Sequence, residues 1–421
     1  MGLLGLLQNG KYVTQCHMCH GSDLLFVLDL GHHPPSDAFL RPDQLSEQEV
    51  HYPLHLISCK KCGLLQIDYV VHPEILFQRD YPYESSTTKM GREHYYLMAD
   101  DINKRFPVPK AKGSLAIDIG SNVGVLCQGF KNLGYKVLGV DPSDMAAQKA
   151  LANGIETIID FFNESVADSI YKKYGPAKVI TATNVFAHIY ELDSTVRGMA
   201  KLLAKNGVIA VESPYASDLI KNLEYDTIYH EHIAYLSVKP MMLYIKRFGL
   251  ELFDVKKSLI HGGSLRYYIG HKGKHPVNKI VGKYIAEEEK EGLYSEKKLK
   301  NFASRVMNHK IALTSLIMDL KKNGKTIVGI SAPAKGNTLL NYCNLDSHYL
   351  DFLTEKTQCK IGKYSPGTHI PVYSDDHLLK KKPDYGLILA WNFADEIMKN
   401  LSEFKKQGGK FIIPIPTPKI I

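Results

Sequence analysis

The sequence predicts an α/β protein in three parts: a small N-terminal domain built around cysteines, a doubly wound sheet, and a second, Rossmann-like α/β domain at the C-terminus. Three observations predict it. Four of the seven cysteines come as two CxxC pairs within the first 62 residues. From about residue 113 buried strand patterns alternate with helical ones, the sequence mark of a sheet covered on both faces. After a charged helical stretch from Lys290 to Lys322 the alternation begins again at Lys325. At 421 residues the chain is too long for one ordinary core, and the parts are placed at 1–75, 76–295 and 296–421.

In the first part, Cys16-x-x-Cys19 and Cys59-x-x-Cys62 each form a turn whose backbone NH groups can stabilise thiolate. Four thiolates satisfy a tetrahedral Zn²⁺ and leave no open position, so the predicted site is structural. The short apolar run at Met1–Leu7 has no positive region before it, and position 6 is Leu where a myristoylation motif wants Ser or Thr. The expectation is a cytoplasmic monomer with no membrane span, a compartment in which thiols favour metal over disulfides. The pairs stand 39 residues apart, longer than the usual ribbon spacing. The loop carrying Gly31-His-His-Pro-Pro-Ser36 must therefore do more than close a hairpin, and contact with another domain is expected of it.

In the second part, Leu115-Ala-Ile-Asp118-Ile-Gly120-Ser121-Asn122-Val-Gly124 reads as a buried strand running through a tight turn into a helix. A second strand, Lys136-Val-Leu-Gly-Val-Asp141, ends in a carboxylate, and further strands are expected at Lys178–Thr183 and Gly207–Glu212. Asn122 stands where a dinucleotide-binding turn carries its middle glycine; Asn tolerates a left-handed backbone, so the turn survives while the pyrophosphate cradle does not. Asp118 would face a positively charged group and Asp141 can accept two ribose hydroxyls, which suits the sulfonium of S-adenosylmethionine better than a pyrophosphate.

The segment Tyr229-His230-Glu231-His232 concentrates a phenol, two imidazoles and a carboxyl, and a set so polar is hard to bury as core. It offers a base, an orienting carboxylate and a donor for a developing oxyanion. Its histidines flank a single residue, unlike the His-Glu-x-x-His of zinc proteases. His188, in Asn184-Val-Phe-Ala-His188, follows a strand expected to end at the ligand crevice.

These motifs together resemble the sugar C-methyltransferase family, whose members act on nucleotide-linked 4-keto-6-deoxyhexoses in branched deoxysugar biosynthesis. The resemblance covers essentially the whole chain, including the CxxC pairs, Asp118-Ile-Gly-Ser-Asn122, Asn184-Val-Phe-Ala-His188, Tyr229-His-Glu-His232, Ala334-Lys-Gly-Asn-Thr338, Pro366-Gly-Thr and Leu389-Ala-Trp-Asn392. It departs at Val123, where the family's loop frequently carries an acidic residue. It implies a class I methyltransferase sheet, with S-adenosylmethionine held by Asp118, Gly120, Ser121, Asn122, Gly124, Asp141 and Asn184. It further implies that His232 is the base removing the C3 proton of the sugar, Tyr229 the donor to the enolate oxygen, Glu231 and His188 residues that hold substrate or tune protonation, and Tyr83 a neighbour of the sugar. In the last part, Lys335, Gly336, Asn337 and Thr338 at a strand-to-helix turn offer backbone NH groups, a positive helix end and a lysine for the nucleotide diphosphate. The formal net charge of +8 and the cysteine pairs leave a zinc-ribbon nucleic-acid enzyme or binding module as the alternative, but the Lys and Arg are dispersed and no nucleic acid partner is expected.

Overall fold

The computed structural model describes residues 10–77, 89–107, 113–258 and 263–421. Its N-terminal region is a four-stranded antiparallel sheet in the order Ala234–Tyr235, Leu65–Ile67, Tyr52–Cys59, Leu24–His33. The first of these strands is lent by a segment far along the chain, so the cysteine-bearing region is stitched into the rest. Between Leu24–His33 and Tyr52–Cys59 the chain throws out an arm, residues 34–51, that reaches the C-terminal region. There Leu40 pairs with Tyr364, and the Gly367 amide donates to Glu49 at 2.9 Å. The long spacing between the cysteine pairs is thereby explained: the arm joins the two ends of the molecule.

The central sheet has seven strands in the order Leu250–Ser258, Ser264–His271, Leu203–Pro214, Ala177–Thr183, Leu115–Ile119, Lys136–Val140, Thr157–Ile158. The five last named are parallel, as expected of a doubly wound sheet. The two others form an antiparallel hairpin closing one edge, which the sequence reading did not foresee. The order reverses between Leu115–Ile119 and Ala177–Thr183, so their C-terminal ends frame the crevice where such sheets bind ligands. Helix Lys89–Arg105 packs beside this edge, with Tyr95, Met98 and Ala99 in one apolar cluster with Val123 and Leu126.

The helix expected over Lys290–Lys322 is present as Glu296–Lys322, and another, Lys279–Lys290, precedes it. Gly292 takes φ +69° at the break, and Ser295 caps the second helix by accepting from the Lys298 amide at 3.2 Å. The long helix carries Leu299, Phe302, Val306, Leu313 and Ile317 into the core of the C-terminal region. That region is a six-stranded sheet, Val372–Ser374, Leu353–Glu355, Ile327–Ile330, Tyr385–Ile388, Lys410–Ile413, Lys419–Ile420, parallel but for its last strand. Its own reversal of order falls at the ends of Ile327–Ile330 and Tyr385–Ile388. Among the described residues no helix is long and apolar enough to cross a membrane.

Candidate active site

The four paired cysteines come together. Their Sγ atoms all lie within 4.8 Å of one another, with Cys16 to Cys62 and Cys19 to Cys59 both at 3.5 Å. Zn–S bonds of about 2.3 Å in a tetrahedron separate sulfurs by about 3.8 Å, so the set fits the ion. The knuckles are shaped by backbone bonds from the His20 amide to Cys16 O at 3.0 Å and from Gly63 to Cys59 O at 2.8 Å. The His17 ring lies 2.8 Å from Ile189 O, and His20 lies 3.1 Å from Asp193. The cysteine site thus braces the backbone immediately after His188.

At the central crevice the turn after Ile119 runs through left-handed conformations at Gly120 (φ +68°), Asn122 (+49°) and Gly124 (+82°). A Cβ on Gly120 would stand 2.6 Å from Val185 Cγ2, so glycine is required for close approach as well as for φ. The Asp141 carboxylate accepts from Asn122 N at 2.7 Å and Ser143 N at 2.9 Å. Those bonds fix its position and leave lone pairs on both oxygens. Asp118 accepts from Thr181 Oγ1 at 2.7 Å, and burial pushes its carboxyl up to about 7. Asn184 takes φ +55°, and among the described residues both its Oδ1 and Ser121 Oγ are buried without a hydrogen-bond partner. Unsatisfied polar atoms around a glycine turn are what a polar ligand would complete, and S-adenosylmethionine fits this donor and acceptor set. Val123 is buried in the apolar cluster under helix Lys89–Arg105.

The polar segment folds against this crevice. The Ile233 amide bonds to Ala187 O at 2.8 Å, which sets the segment beside the turn Phe186–His188. His188 and His232 rings lie 4.7 Å apart between centroids, and Tyr229 and His232 rings 4.0 Å. His232 Nδ1 is 2.8 Å from Thr227 O. A carbonyl only accepts, so Nδ1 carries the proton and the lone pair sits on Nε2. Burial, helped by the nearby His232, lowers the His188 imidazole well below its ordinary value and keeps it neutral. Glu231 turns the other way, into a buried pocket where Ser36 Oγ lies 3.1 Å from each of its oxygens. Burial, then the nearby Asp37, raises it to about 7. His230 is apart from all these: its Nε2 lies 3.1 Å from Pro53 O and its ring meets Tyr52 edge-on. Tyr83 lies outside the described residues.

The turn Ala334–Thr338 stands at the reversal point of the C-terminal sheet. Its Lys335 bonds to Asn392 Oδ1 and lies 4.1 Å over the Trp391 ring; burial lowers the ammonium to about 8, opposed by Asp226 and Glu224. Gly336 has Leu389 so close that a Cβ would meet it at 2.8 Å, and its amide bonds to Pro333 O. Asn337 Nδ2 donates to Ser36 O at 2.7 Å, while its Oδ1 and Thr338 Oγ1 are buried without partners among the described residues.

One network escaped the sequence reading. Glu212, fully buried at the end of the strand Leu203–Pro214, meets His94 at 2.5 Å and Arg266 at 2.8 Å, and Arg266 meets Asp101 at 3.1 Å. Burial favours the neutral acid, yet His94 and Arg266 hold the Glu212 carboxyl below its ordinary value. These partners lie far apart in sequence and carry no local pattern.

Three family models match in series: "Putative zinc binding domain" at 16–77, "Methyltransferase domain" at 90–255 and "C-methyltransferase C-terminal domain" at 259–416. C-methyltransferase NovU of Streptomyces niveus is 33% identical over 410 residues, 97% of this chain and 97% of its own. The chain belongs to the C-methyltransferase family. It is an S-adenosylmethionine-dependent C-methyltransferase with a zinc-binding domain at its N-terminal end. Other relatives are similar over less of the chain. The ubiquinone biosynthesis O-methyltransferase of Rhodopseudomonas palustris (strain BisA53) is 31% identical over 109 residues, 24% of this chain and 42% of its own. A solved SAM-dependent methyltransferase from Anabaena variabilis is 14% identical, with 45% of this chain and 98% of that one covered and a TM-score of 0.33, too slight a likeness to carry an argument.

Proposed function

We propose that this C-methyltransferase transfers a methyl group to C3 of a nucleotide-diphosphate-linked 4-keto-6-deoxyhexose, by way of an enolate that the protein generates. The observation that carries the reading is the set of His188, Tyr229 and His232 beside the cofactor turn, with the His232 proton held on Nδ1 by Thr227 O. A ketone at C4 acidifies the C3 proton. Nε2 of His232 removes it, and the Thr227 carbonyl stabilises the imidazolium that results. The Tyr229 hydroxyl donates to the enolate oxygen, which lowers the barrier by meeting charge as it develops. Neutral His188 holds the acceptor in place and adds no competing positive charge. Asp118, Asp141, Asn184 and the turn Gly120–Gly124 hold S-adenosylmethionine, which supplies the electrophilic methyl group when bound. Glu231, whose carboxyl burial raises to about 7, can donate a hydrogen bond to the sugar while it is protonated. Zinc takes no part in the chemistry, since four thiolates close its coordination.

The test is incubation with S-adenosylmethionine and a panel of thymidine-, guanosine- and cytidine-diphosphate-linked 4-keto-6-deoxyhexoses in deuterated water, followed by mass spectrometry. Gain of one methyl on a panel member is expected. If every sugar returns with neither methyl nor deuterium, the reading fails.

A further inference from the structure

A row of four residues crosses the central sheet near its crevice edge: Lys256, Arg266, Glu212 and Thr183 stand in register on four adjacent strands. All four meet one helix, Lys89–Arg105. Lys256 Nζ and Arg266 Nη1 lie 2.7 Å and 3.1 Å from Asp101, Glu212 lies 2.5 Å from His94 Nε2, and Thr183 Oγ1 lies 3.7 Å from Met98 Sδ. Residues 94, 98 and 101 share one face of that helix. We propose that Glu212 is a positioning residue for the methyl transfer, fixing the crevice end of the helix with its carboxylate and Asn184 with its carbonyl. The proposal rests on the reading that Asn184 holds S-adenosylmethionine.

The helix runs away from the crevice. Its far end is marked by Asn103, whose Oδ1 accepts from Tyr135 OH at 3.0 Å just before the strand Lys136–Val140 begins. His94 therefore belongs to the crevice end. On the side facing the row the helix is held by charge more than by close packing, for a cavity of about 160 Å³ lies along the seam with His94, Met98, Asp101, Lys256 and Arg266 in its lining. The Glu212 side chain is fully buried, and both its oxygens are engaged, one by His94 and the other by Arg266 Nε at 2.9 Å and Nη2 at 2.8 Å. Removing one partner of a buried charge leaves the rest uncompensated, so these groups hold or shift together.

The same residue reaches the cofactor turn through its backbone. Glu212 is the last residue of its strand to pair with Ala177–Thr183. Its carbonyl accepts from the Asn184 amide at 2.8 Å, at the point where Asn184 turns to φ +55°. Asn184 Oδ1 is buried there with no partner among the described residues. Beyond Glu212 no further pairing ties the two strands, so the place of that oxygen depends on where Glu212 is held. His94 and Arg266 hold it, one from the helix and one from the neighbouring strand.

The experiment is calorimetric titration of the intact, zinc-loaded protein with S-adenosylmethionine, as wild type and as H94A, H94Q, N184G and H94A/N184G. H94A is expected to bind about tenfold more weakly, since Glu212 loses a donor that nothing nearby replaces. H94Q sets an amide NH near the place of Nε2 and is expected to return to within about threefold of wild type. N184G keeps the positive φ and loses the side chain, so it binds more weakly. H94A then adds less than about twofold, because two changes that act through one contact do not add. R266K keeps the charge and gives up the fork that reaches Glu212 and Asp101 together; about tenfold weaker binding is expected of it as well, and it stands in for H94A should that variant not fold. If N184G binds as wild type does, Asn184 does not hold the cofactor and the proposal falls with that reading. If N184G is weak while H94A and R266K bind as wild type does, Asn184 keeps its role and Glu212 does not position it. The proposal is equally overturned if the losses in H94A and N184G multiply in the double variant, or if H94Q is as weak as H94A.

Discussion

Ser36 and Glu231, 195 positions apart, meet in a buried pocket where the serine hydroxyl lies 3.1 Å from each carboxyl oxygen. The Ser36 carbonyl at the same time accepts from Asn337 Nδ2 at 2.7 Å. One residue of the arm therefore links the segment bearing His232 to the first turn of the helix Ala334–Cys343. Ser36→Ala takes a donor from a buried carboxyl, and a loss of about 1–2 kcal/mol is expected. Urea unfolding checks it; an unchanged midpoint would show that the contact holds nothing together.

Glu231 also makes stability depend on pH. Its folded value near 7 lies above the ordinary 4.5, so between those values the unfolded chain releases a proton that the folded chain keeps. Stability from this group is therefore highest below pH 4.5 and declines as pH rises to about 7, by roughly 3 kcal/mol. E231Q should remove that slope. Relative to wild type, the variant gains stability between pH 5 and pH 8, and an identical difference at both values would refute the raised carboxyl.

His232→Asn keeps a polar side chain beside Thr227 but has no imidazole lone pair. Transfer should fall by about 10²–10⁴-fold, with S-adenosylmethionine affinity within twofold of wild type. Near-normal turnover would remove His232 from the role of base.

Gly120→Ala would place a methyl 2.6 Å from Val185 Cγ2 at φ +68°. Left-handed backbone alone costs a side-chain-bearing residue about 1–2 kcal/mol. A lower melting temperature and at least tenfold weaker S-adenosylmethionine binding by calorimetry are expected; retention of both would mean the turn can shift without loss.

Removal of zinc should act at a distance. Cys19→Ser leaves three thiolates, and metal analysis should fall from about one zinc per chain toward none. Because His17 and His20 brace Ile189 and Asp193, limited proteolysis should then cut near residues 186–193 as well as within the cysteine knuckles. Cutting confined to the knuckles would separate the metal from the site.

What could be read in the sequence was what depends on neighbours along the chain. Gly120, Asn122 and Gly124 advertise positive φ by residue type, and the CxxC spacing places two sulfurs on one turn. The strands Leu115–Ile119 and Lys136–Val140 are apolar because both faces are covered. The antiparallel pair Leu250–Ser258 and Ser264–His271 was missed because it reverses the strand direction that the alternating pattern implies. His94, Glu212 and Arg266 were missed for a different reason: each is an ordinary charged residue until folding removes water from around it. Lys335 advertised an anion site by its place at a helix start, but its surroundings of Asp226, Trp391 and Asn392 are set by the tertiary fold. Lys360 and Asp37 likewise meet, at 2.9 Å, only when the arm crosses to the C-terminal region.

Trp391 is the one tryptophan of the chain. Its indole Nε1 donates to Asp226 Oδ2 at 2.6 Å with the Lys335 ammonium over the ring. Light absorbed near 295 nm therefore reports on a single spot, the seam between the segment leading to His232 and the C-terminal sheet. Any event that parts or tightens that seam will register in the native emission, with no label to attach and no second fluorophore to subtract.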